Sequence, residues 1–302
     1  MSSAAENNQT PRHDEQAPPG SVIVGVQGSD RDALVIGYAT AEAQRLGTGV
    51  HLVRVAEVET STLNPEAPIP MSWLAELGER LDTQLDKAVD FARRTGIPVS
   101  AALVGGSPTR ELLAAATDAA CIVVGSARST GRERSYAGTS ALSIVAHAHC
   151  PVVVVMPHAD YASGIIVGVD GSKHSAAALD YALDAARRRG TSLTVMSTWY
   201  LEVVDGVVAT TPGSEAYQEV EARYQRLVDK MLEPRRAAYQ DVEVRVDIRR
   251  GPAAATLVEA AAAAELLVLG SRGRGGLAGT LLGSVTRKVL ESATCPVALL
   301  HA

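Results

Sequence analysis

One segment of this chain occurs twice at a nearly constant distance, and this duplication restricts the possible fold more than any other feature. VIVGVQGSD at Val22–Asp30 returns as IIVGVDGSK at Ile165–Lys173. CIVVGSAR at Cys121–Arg128 returns as LLVLGSRG at Leu266–Gly273. The offset between matching residues stays at roughly 143 to 145 from one end to the other, so the repeat is a duplicated domain and not a short solenoid unit.

The chain length agrees with two copies of one domain. Its 302 residues are enough for two domains of about 150 residues, each able to bury a core of its own. Residues 1–20 are rich in Asn, Gln, Pro and charge and predict a disordered tail. We expect the first domain at residues 21–157 and the second at 164–302, joined by a short segment at Pro157–Ser163.

Within each repeat, short Val/Ile/Leu runs alternate with longer stretches of helical spacing, which is typical of a parallel sheet covered on both faces. The strands of the second repeat are predicted at Ile165–Val169, Ser192–Ser197, Val242–Ile248, Leu266–Gly270 and Val297–Leu300. Its helices are predicted at Ser175–Arg189, Glu215–Arg236, Ala253–Ala263 and Ser284–Ser292. The first repeat has the same order, with strands near Val22, Val50, Val99, Ile122 and Val152. Each repeat is therefore predicted to be a doubly wound α/β domain with a five-stranded parallel sheet.

Charge and hydropathy exclude several classes of function. The net charge is −6 with no basic block, which argues against nucleic acid as a partner, because counterion release needs a face rich in Lys and Arg. No apolar run is long enough for a membrane span or a signal peptide, so we expect a cytoplasmic protein. Cys121, Cys150 and Cys295 have no C-x-x-C spacing; we interpret them as small apolar residues and predict no metal site.

The glycine-rich loop after the fourth strand of the second repeat is the strongest chemical signal. It runs from Gly270 through Gly273 to Gly283, and it leads into a helix that begins with Ser284. Glycines let a backbone approach an anion closely, and the amides of a helix start, with the Ser284 and Thr286 hydroxyls, can donate to phosphate oxygens. We interpret the loop as a phosphate site; an ordinary Gly-rich surface loop with a Ser cap is the alternative.

Asp170 ends the first strand of the second repeat, and the crevice of an open parallel sheet lies outside the carboxyl ends of its strands. Its carboxylate can accept hydrogen bonds from ribose hydroxyls or an adenine amino group. A plain turn with a helix cap explains the same Asp-Gly-Ser string equally well.

Standard catalytic signatures are missing from the sequence. There is no G-x-x-x-x-G-K-[ST] string and no G-x-S-x-G elbow, and no acid, base and nucleophile fall together in the crevice loops. The string Gly273-x-Gly275-x-x-Ala278 follows a fourth strand and not a first, so it lacks the context of a dinucleotide site. The sequence therefore does not indicate a dedicated catalyst.

Gly270-x-x-Gly273, nine residues and then Gly283-Ser284, together with the turn at Asp170, resemble the ATP-binding signature of the universal stress protein family, in its tandem-domain actinobacterial form. The resemblance covers residues 20 to 302. It implies a Rossmann-like, adenine nucleotide alpha hydrolase-like fold with strand order 3-2-1-4-5, adenine near the first strand and the triphosphate in the fourth-strand loop. It also implies ATP, with or without Mg²⁺, as the ligand of a stress or growth regulator with at most slow hydrolysis. The residues that match the family's nucleotide contacts are Gly168, Val169, Asp170, Leu269, Gly270, Arg272, Gly273, Gly283, Ser284, Val285 and Thr286.

The first repeat departs from this pattern at two positions. Gln27 stands where Asp170 stands in the second repeat, and Arg128 stands where Gly273 stands. The rest of the spacing is retained by Gly125, Gly138, Thr139 and Ser140. Gln27 can still hydrogen-bond to adenine or ribose, but it carries no charge. The Arg128 side chain can form a charged hydrogen bond to a phosphate, but it fills a position where glycine permits close approach. We expect the first repeat to bind ATP weakly or not at all.

Three functions are compatible with these residues. The leading interpretation is a regulator that binds ATP; the alternatives are a slow ATP-hydrolysing enzyme and an assembly scaffold with a vestigial pocket. The strands after Cys150-Pro151 and Cys295-Pro296 end each repeat and should lie at sheet edges. The family uses that edge for dimer contact, so the resemblance implies that the two repeats pair through their last strands, with a homodimer as the expected assembly.

Overall fold

The computed structural model describes residues 15–56, 71–126, 139–156, 164–200, 203–204, 207–208, 211–274 and 282–302. The chain divides into two compact units, Met1–Ile122 and Val123–Ala302. This division falls inside the fourth strand of the first repeat and not in the segment 157–163 that separates the sequence repeats. The last part of the first repeat therefore belongs to the same compact unit as the second repeat.

The first unit contains the initial three strands of the first repeat and their helices. In chain order these elements are β1 (Val22–Val26), α1 (Asp32–Leu46), β2 (Val50–Ala56), α2 (Met71–Arg93), β3 (Val99–Gly105) and α3 (Pro108–Ala115). β2 pairs in parallel with both β1 and β3. Parallel neighbours need crossover connections, which the helices supply. Val22, Ile23 and Val24 of β1 are fully buried, as expected for a strand covered on both faces.

Residues 15–20, which the sequence assigns to a disordered tail, contact the first unit. The Glu15 carboxylate accepts a hydrogen bond of 2.9 Å from the Ala101 amide on β3, and the Gly20 amide donates to the Asp118 carbonyl at 2.7 Å. Ordered contacts thus begin before the predicted boundary at Ser21. Residues 1–14 of the predicted tail lie outside the described residues, as does the predicted join at 157–163.

The first repeat is completed by β4 (Cys121–Gly125), α4 (Thr139–His147) and β5 (Val152–Val155). Its strands follow the order β3-β2-β1-β4-β5, which confirms the predicted order 3-2-1-4-5. Cys121 is buried and Cys150 is half-buried. Cys295, the matching residue of the second repeat, is also buried, and burial raises the pKa of its thiol to about 11.

The second repeat lies wholly in the second unit and has the same architecture. Its main elements are β6 (Ile165–Gly168), α5 (Lys173–Arg189), β7 (Leu193–Trp199), α6 (Glu215–Leu232), β10 (Val244–Arg250), α7 (Ala253–Ala260), β11 (Leu266–Gly270), α8 (Ser284–Ser292) and β12 (Val297–Leu300). The strand order β10-β7-β6-β11-β12 is again 3-2-1-4-5, and these neighbours are all parallel. The predicted doubly wound α/β fold is confirmed in both repeats.

The second repeat differs from the prediction at one helix end and by one additional hairpin, besides shifts of one to three residues at other element bounds. The helix predicted to reach Arg236 ends at Leu232 and continues as a 3-10 turn, because Pro234 has no N–H to donate to the preceding turn. A short hairpin of β8 (Val203–Val204) and β9 (Val207–Val208) was not predicted, since two-residue strands are too short to show alternation. Among the described residues, no helix is both long and apolar enough to cross a membrane.

The last strands of the two repeats, β5 and β12, pair with each other in antiparallel fashion. Val297 lies opposite Val154, Ala298 opposite Val153 and Leu299 opposite Val152, and all of these residues are fully buried. This pairing confirms the predicted association of the two last strands. Each strand satisfies backbone groups that an open sheet edge would leave exposed.

Replacing Val153 with Pro tests the pairing of β5 and β12. Proline removes one amide donor and clashes with neighbouring backbone, so we expect the free energy of unfolding to fall by about 3 kcal/mol. Proteinase K cleavage within residues 157–163, followed by gel filtration, should release separate fragments faster than in the parent. The control Val153→Ala keeps the amide and should cost about 2 kcal/mol through lost packing alone. Equal fragment release from the proline variant and this control would contradict the pairing.

Candidate functional site

The candidate site lies at the carboxyl ends of β6 and β11. These strands are parallel neighbours, with Leu266 opposite Ile165 and Val268 opposite Val167. The next strand in the sequence, β7, pairs with one edge of β6, whereas β11 pairs with the other edge. The chain therefore changes direction across the sheet at this point, where open α/β sheets bind ligands.

A cavity of about 1010 Å³ opens at these strand ends. One end is mainly apolar and is formed by β6, β7, β11 and α7, whereas the other end is formed by the loop after β11 and the start of α8. All the second-repeat residues predicted from the sequence line this one cavity: Gly168, Val169, Asp170, Leu269, Gly270, Arg272, Gly273, Gly283, Ser284, Val285 and Thr286. Residues 275–281, in the middle of the predicted loop, lie outside the described residues.

Asp170 joins the end of β6 to the loop after β11. One carboxylate oxygen accepts from the Ser172 amide at 2.9 Å, and the other accepts from the Arg274 amide at 2.8 Å. Burial acts to raise the pKa of Asp170, but hydrogen bonds from Ser172, Arg274 and Ser175 outweigh it and hold the pKa below its ordinary value. The carboxylate is thus charged at neutral pH and fixes the loop, a role that the sequence did not predict.

Close approach explains two glycines of the predicted phosphate loop. A Cβ at Gly273 would lie 2.5 Å from an oxygen of Asp170, and a Cβ at Gly270 would lie 2.7 Å from the His174 backbone. Neither glycine has a positive φ, so the requirement is space and not a left-handed conformation. Gly270 thus lets the end of β11 pack against the start of α5, and Gly273 lets the loop approach the Asp170 carboxylate.

Helix α8 presents its amino end to the cavity without a side-chain cap. Gly283 occupies the cap position in an extended conformation and has no side chain to accept from the first turn. The amides of Ser284, Val285 and Thr286 have no acceptor within the helix, and they face the cavity end that is expected to hold phosphate. The Thr286 hydroxyl instead donates to the Gly270 carbonyl at 3.0 Å, so it fastens α8 to β11 and does not offer the free donor that the sequence suggested.

Basic side chains surround this polar end. Arg272, Arg274, Arg287 and Lys288 all line the cavity. Burial and the nearby Arg272 lower the pKa of His174, against the opposing effect of Asp170. Together with the positive end of the α8 dipole, the charges of these four Arg and Lys side chains favour the binding of an anion. No three His, Cys, Asp or Glu side chains cluster as metal ligands in the described part of the chain.

Several cavity residues escaped the sequence analysis. Met196 and Thr198 alternate along β7, Tyr224 comes from α6, and Ala253 and Leu257 come from α7. The period-two spacing of Met196 and Thr198 was a usable signal, because alternate residues of a strand face one side. The helix residues had no comparable signal, since periodicity does not show which end of a helix meets the strand ends.

The turn after β1 in the first repeat is held by different residues from the turn after β6 in the second. The amides of Gln27 and Gly28 donate to the Asp32 carboxylate at distances from 2.7 to 3.1 Å, and Asp32 stands at the position of Ser175. The Gln27 side chain is exposed. Arg54 on β2 donates to the Val26 carbonyl at 3.3 Å. At the matching position of the second repeat, the Ser197 hydroxyl donates to the Val169 carbonyl. The carboxylate that holds the turn is thus at the strand end in the second repeat, as Asp170, and at the start of the following helix in the first, as Asp32.

The remaining predicted residues of the first repeat are placed only in part. Gly125 ends β4, and Thr139 and Ser140 begin α4. Arg128 and Gly138 lie outside the described residues.

Comparison with known proteins supplies the family. The model of the universal stress protein family matches residues 20–156 and 163–301. Universal stress protein Rv2623 of Mycobacterium tuberculosis is 31% identical over 287 residues, which cover 91% of this chain and 94% of that protein. A universal stress protein from Archaeoglobus fulgidus aligns in structure over 94% of this chain and 96% of its own, with a TM-score of 0.68 and 18% identity. Another solved universal stress protein, in complex with cAMP, is 25% identical over 47% of this chain and 98% of its own, with a TM-score of 0.35.

Substituting Asn for Asp170 tests whether this carboxylate holds the loop. The Asn amide keeps one acceptor oxygen but turns its NH₂ donor toward the other backbone N–H. We therefore expect the free energy of unfolding at pH 7 to fall by about 1 to 2 kcal/mol, a value that allows for solvent screening of a half-buried group. Because the pKa is lowered in the folded state, this contribution is present above the ordinary carboxyl pKa and is lost as pH falls through the lowered one.

Urea unfolding of the parent and of Asp170→Asn, at pH 7 and in acid, measures this difference. The exposed Asp90 on α2 provides a matched control, and Asp90→Asn should change stability by less than about 0.5 kcal/mol. A difference between parent and Asp170→Asn that stayed constant down to the lowest pH would show that the charge of Asp170 does not fix the loop.

Proposed function

The chain belongs to the universal stress protein family, and from that premise we propose that its second repeat binds ATP and that the protein is a nucleotide-dependent regulator of stress response or growth. The observation that carries the proposal is the uncapped start of α8, which faces a cavity formed by every matched residue of the second repeat. We also propose a homodimer, as the family resemblance implies, and the cytoplasmic location that the sequence analysis predicts.

The polar end of the cavity suits a triphosphate. Three amides of α8, at Ser284, Val285 and Thr286, have no intrahelical acceptor and point toward an anion. Arg272 and Arg274 add positive charge beside them. Fixed amides and cations together bind phosphate oxygens without further rearrangement. Mg²⁺ would enter as part of the Mg-ATP ligand, held through phosphate oxygens.

The opposite end of the cavity suits adenosine. Val169, Met196, Leu257 and Leu269 give it apolar walls, and buried apolar walls favour the flat face of a base. Asp170 lies between the two ends, where a ribose would lie. Its oxygens keep further acceptor capacity beside the two amides that they bind, so one carboxylate both fixes the loop and accepts from a ribose hydroxyl.

The geometry favours a binding protein over the enzyme alternative. Hydrolysis of ATP needs a base that orients water in line with the γ-phosphate. Among the described residues that line the cavity, the carboxylates are Asp170 and Glu291; the first is fixed by amide donors and the second is exposed on α8. The scaffold alternative gains no support, because the cavity is open and keeps the donors that a phosphate needs.

Substituting Asp for Gly283 separates ligand binding from folding. An Asp at a helix cap accepts from the amides of the first turn, so its carboxylate would occupy the donors that phosphate needs and would also repel it. We expect the Mg-ATP affinity to fall at least about a hundredfold in calorimetric titration of the full chain. The free energy of unfolding should change by about 1 kcal/mol at most, because caps by Asp and Gly differ little and a Cβ at Gly283 would lie 3.3 Å from the Ser271 carbonyl oxygen, which a small shift relieves.

Two further variants serve as controls for this experiment. Gly283→Asn caps the helix without charge, and its affinity should lie between those of the parent and Gly283→Asp. Gly78→Asp adds the same charge on α2, where a Cβ meets no atom within 4 Å, and it should leave ATP binding unchanged. An unaltered affinity in Gly283→Asp would remove the α8 start from the site.

The two repeats should bind ATP unequally. The first repeat lacks the carboxylate of Asp170, and the carboxylate of Asp32 is already bonded to the amides of Gln27 and Gly28. A charged hydrogen bond to ribose contributes on the order of 1.5 kcal/mol, so the first site should be about tenfold or more weaker. The parent should titrate with one tight site per chain, and Gly283→Asp should have none. Two sites of similar affinity in the parent, one of which survives in Gly283→Asp, would show that the repeats are equivalent.

A further inference from the structure

Helix α4 belongs to the first repeat by sequence, yet one of its side chains lines the cavity of the second repeat. Leu142 lies in the first half of α4 and forms part of the same cavity wall as Arg287, Lys288 and Glu291 of α8. Leu142 is half-buried. Neither the repeat pattern nor the family signature assigns a residue of α4 to this site.

A half-buried histidine after β12, His301, lies near both α4 and the loop that carries Arg272. His301 follows β12, and burial lowers the pKa of its imidazole, while the nearby backbone of Val145 on α4 opposes that shift. His174, Arg272 and His149 also act on His301 and lower its pKa further. The end of β12, the loop that carries Arg272 and helix α4 therefore lie close together.

The pairing of β5 with β12 explains this arrangement. β5 follows α4 directly, and its antiparallel ladder with β12 places Val152 opposite Leu299. Because β12 follows α8, the ladder brings α4 beside the cavity that α8 helps to form. The lining of that cavity therefore includes residues of both sequence repeats.

Resting on the ATP site proposed above, we propose that α4 of the first repeat is part of the nucleotide site of the second, so that nucleotide binding stabilises the association of the repeats along β5 and β12. A ligand shifts an equilibrium only by its differential affinity for the two states. A nucleotide that contacts Leu142 loses that contact when α4 and β5 separate from β12. Bound nucleotide therefore favours the associated state.

Calorimetric titration of the full chain with Mg-ATP tests the role of Leu142. Leu142→Asp places a charge of the same sign as the phosphates in the cavity wall and should weaken binding at least about tenfold. Leu142→Ala, which retains an apolar wall and guards against misfolding, should weaken binding about threefold. Leu142→Met keeps the volume, and His147→Ala changes an exposed residue of the same helix; both should stay within about twofold of the parent.

Hydrogen exchange tests the coupling separately. Mg-ATP should slow amide exchange in both β5 and β12 of the parent, and it should slow neither in Leu142→Asp at the same nucleotide concentration. Affinities of Leu142→Asp and Leu142→Ala within twofold of the parent, or β5 exchange that ATP does not change, would overturn the role of α4 while leaving the ATP site intact. Failure of the parent to bind Mg-ATP would overturn the ATP proposal and this one with it.

Discussion

The parallel pairing of β6 with β11 is the constraint on which the site depends. Parallel neighbours must be joined by crossovers, so Asp170 and the loop after Gly270 are distant in sequence and adjacent in space. The pairing sets the carboxyl ends of the two strands side by side, and the carboxylate of Asp170 then reaches the Arg274 amide. The loop fixed in this way leads to the uncapped amides of α8. The anion binding that we propose for this site thus depends on strand order, on the carboxylate of Asp170 and on the uncapped start of α8.

The fold and much of the site were predictable from sequence because their signals are local. β11 and β12 match their predicted bounds. Each is a continuous apolar run with a Gly or Pro at one end, and such a run indicates where the strand begins and ends. The loop residues were predictable because glycine spacing and a following helix are also local. The roles of Thr286 and Arg274 were not predictable, because each depends on a partner across the sheet. Leu142 escaped for the same reason, as it reaches the cavity through the pairing of β5 with β12.

Duplication explains both the symmetry and the divergence of the two repeats. The backbone plan is retained, with the same strand order and the same last-strand pairing. The chemistry at the end of the first strand has diverged, since Asp32 in the first repeat accepts the amides of Gln27 and Gly28. A buried charge has to be hydrogen-bonded. The turn after the first strand therefore has different hydrogen bonds in the two repeats, because the carboxylate is at a different position in each. The second repeat thus keeps a carboxylate at the end of its first strand, whereas the first repeat keeps the same strand order without it.

The most direct test of this account is a crystal structure of the full chain with saturating Mg-ATP. The account predicts one triphosphate bound to the amides of Ser284, Val285 and Thr286, with adenine against Val169 and Leu257 and the ribose beside Asp170. Leu142 should contact the ligand from the first repeat. Nucleotide density elsewhere on the protein, with the start of α8 free of phosphate, would contradict it.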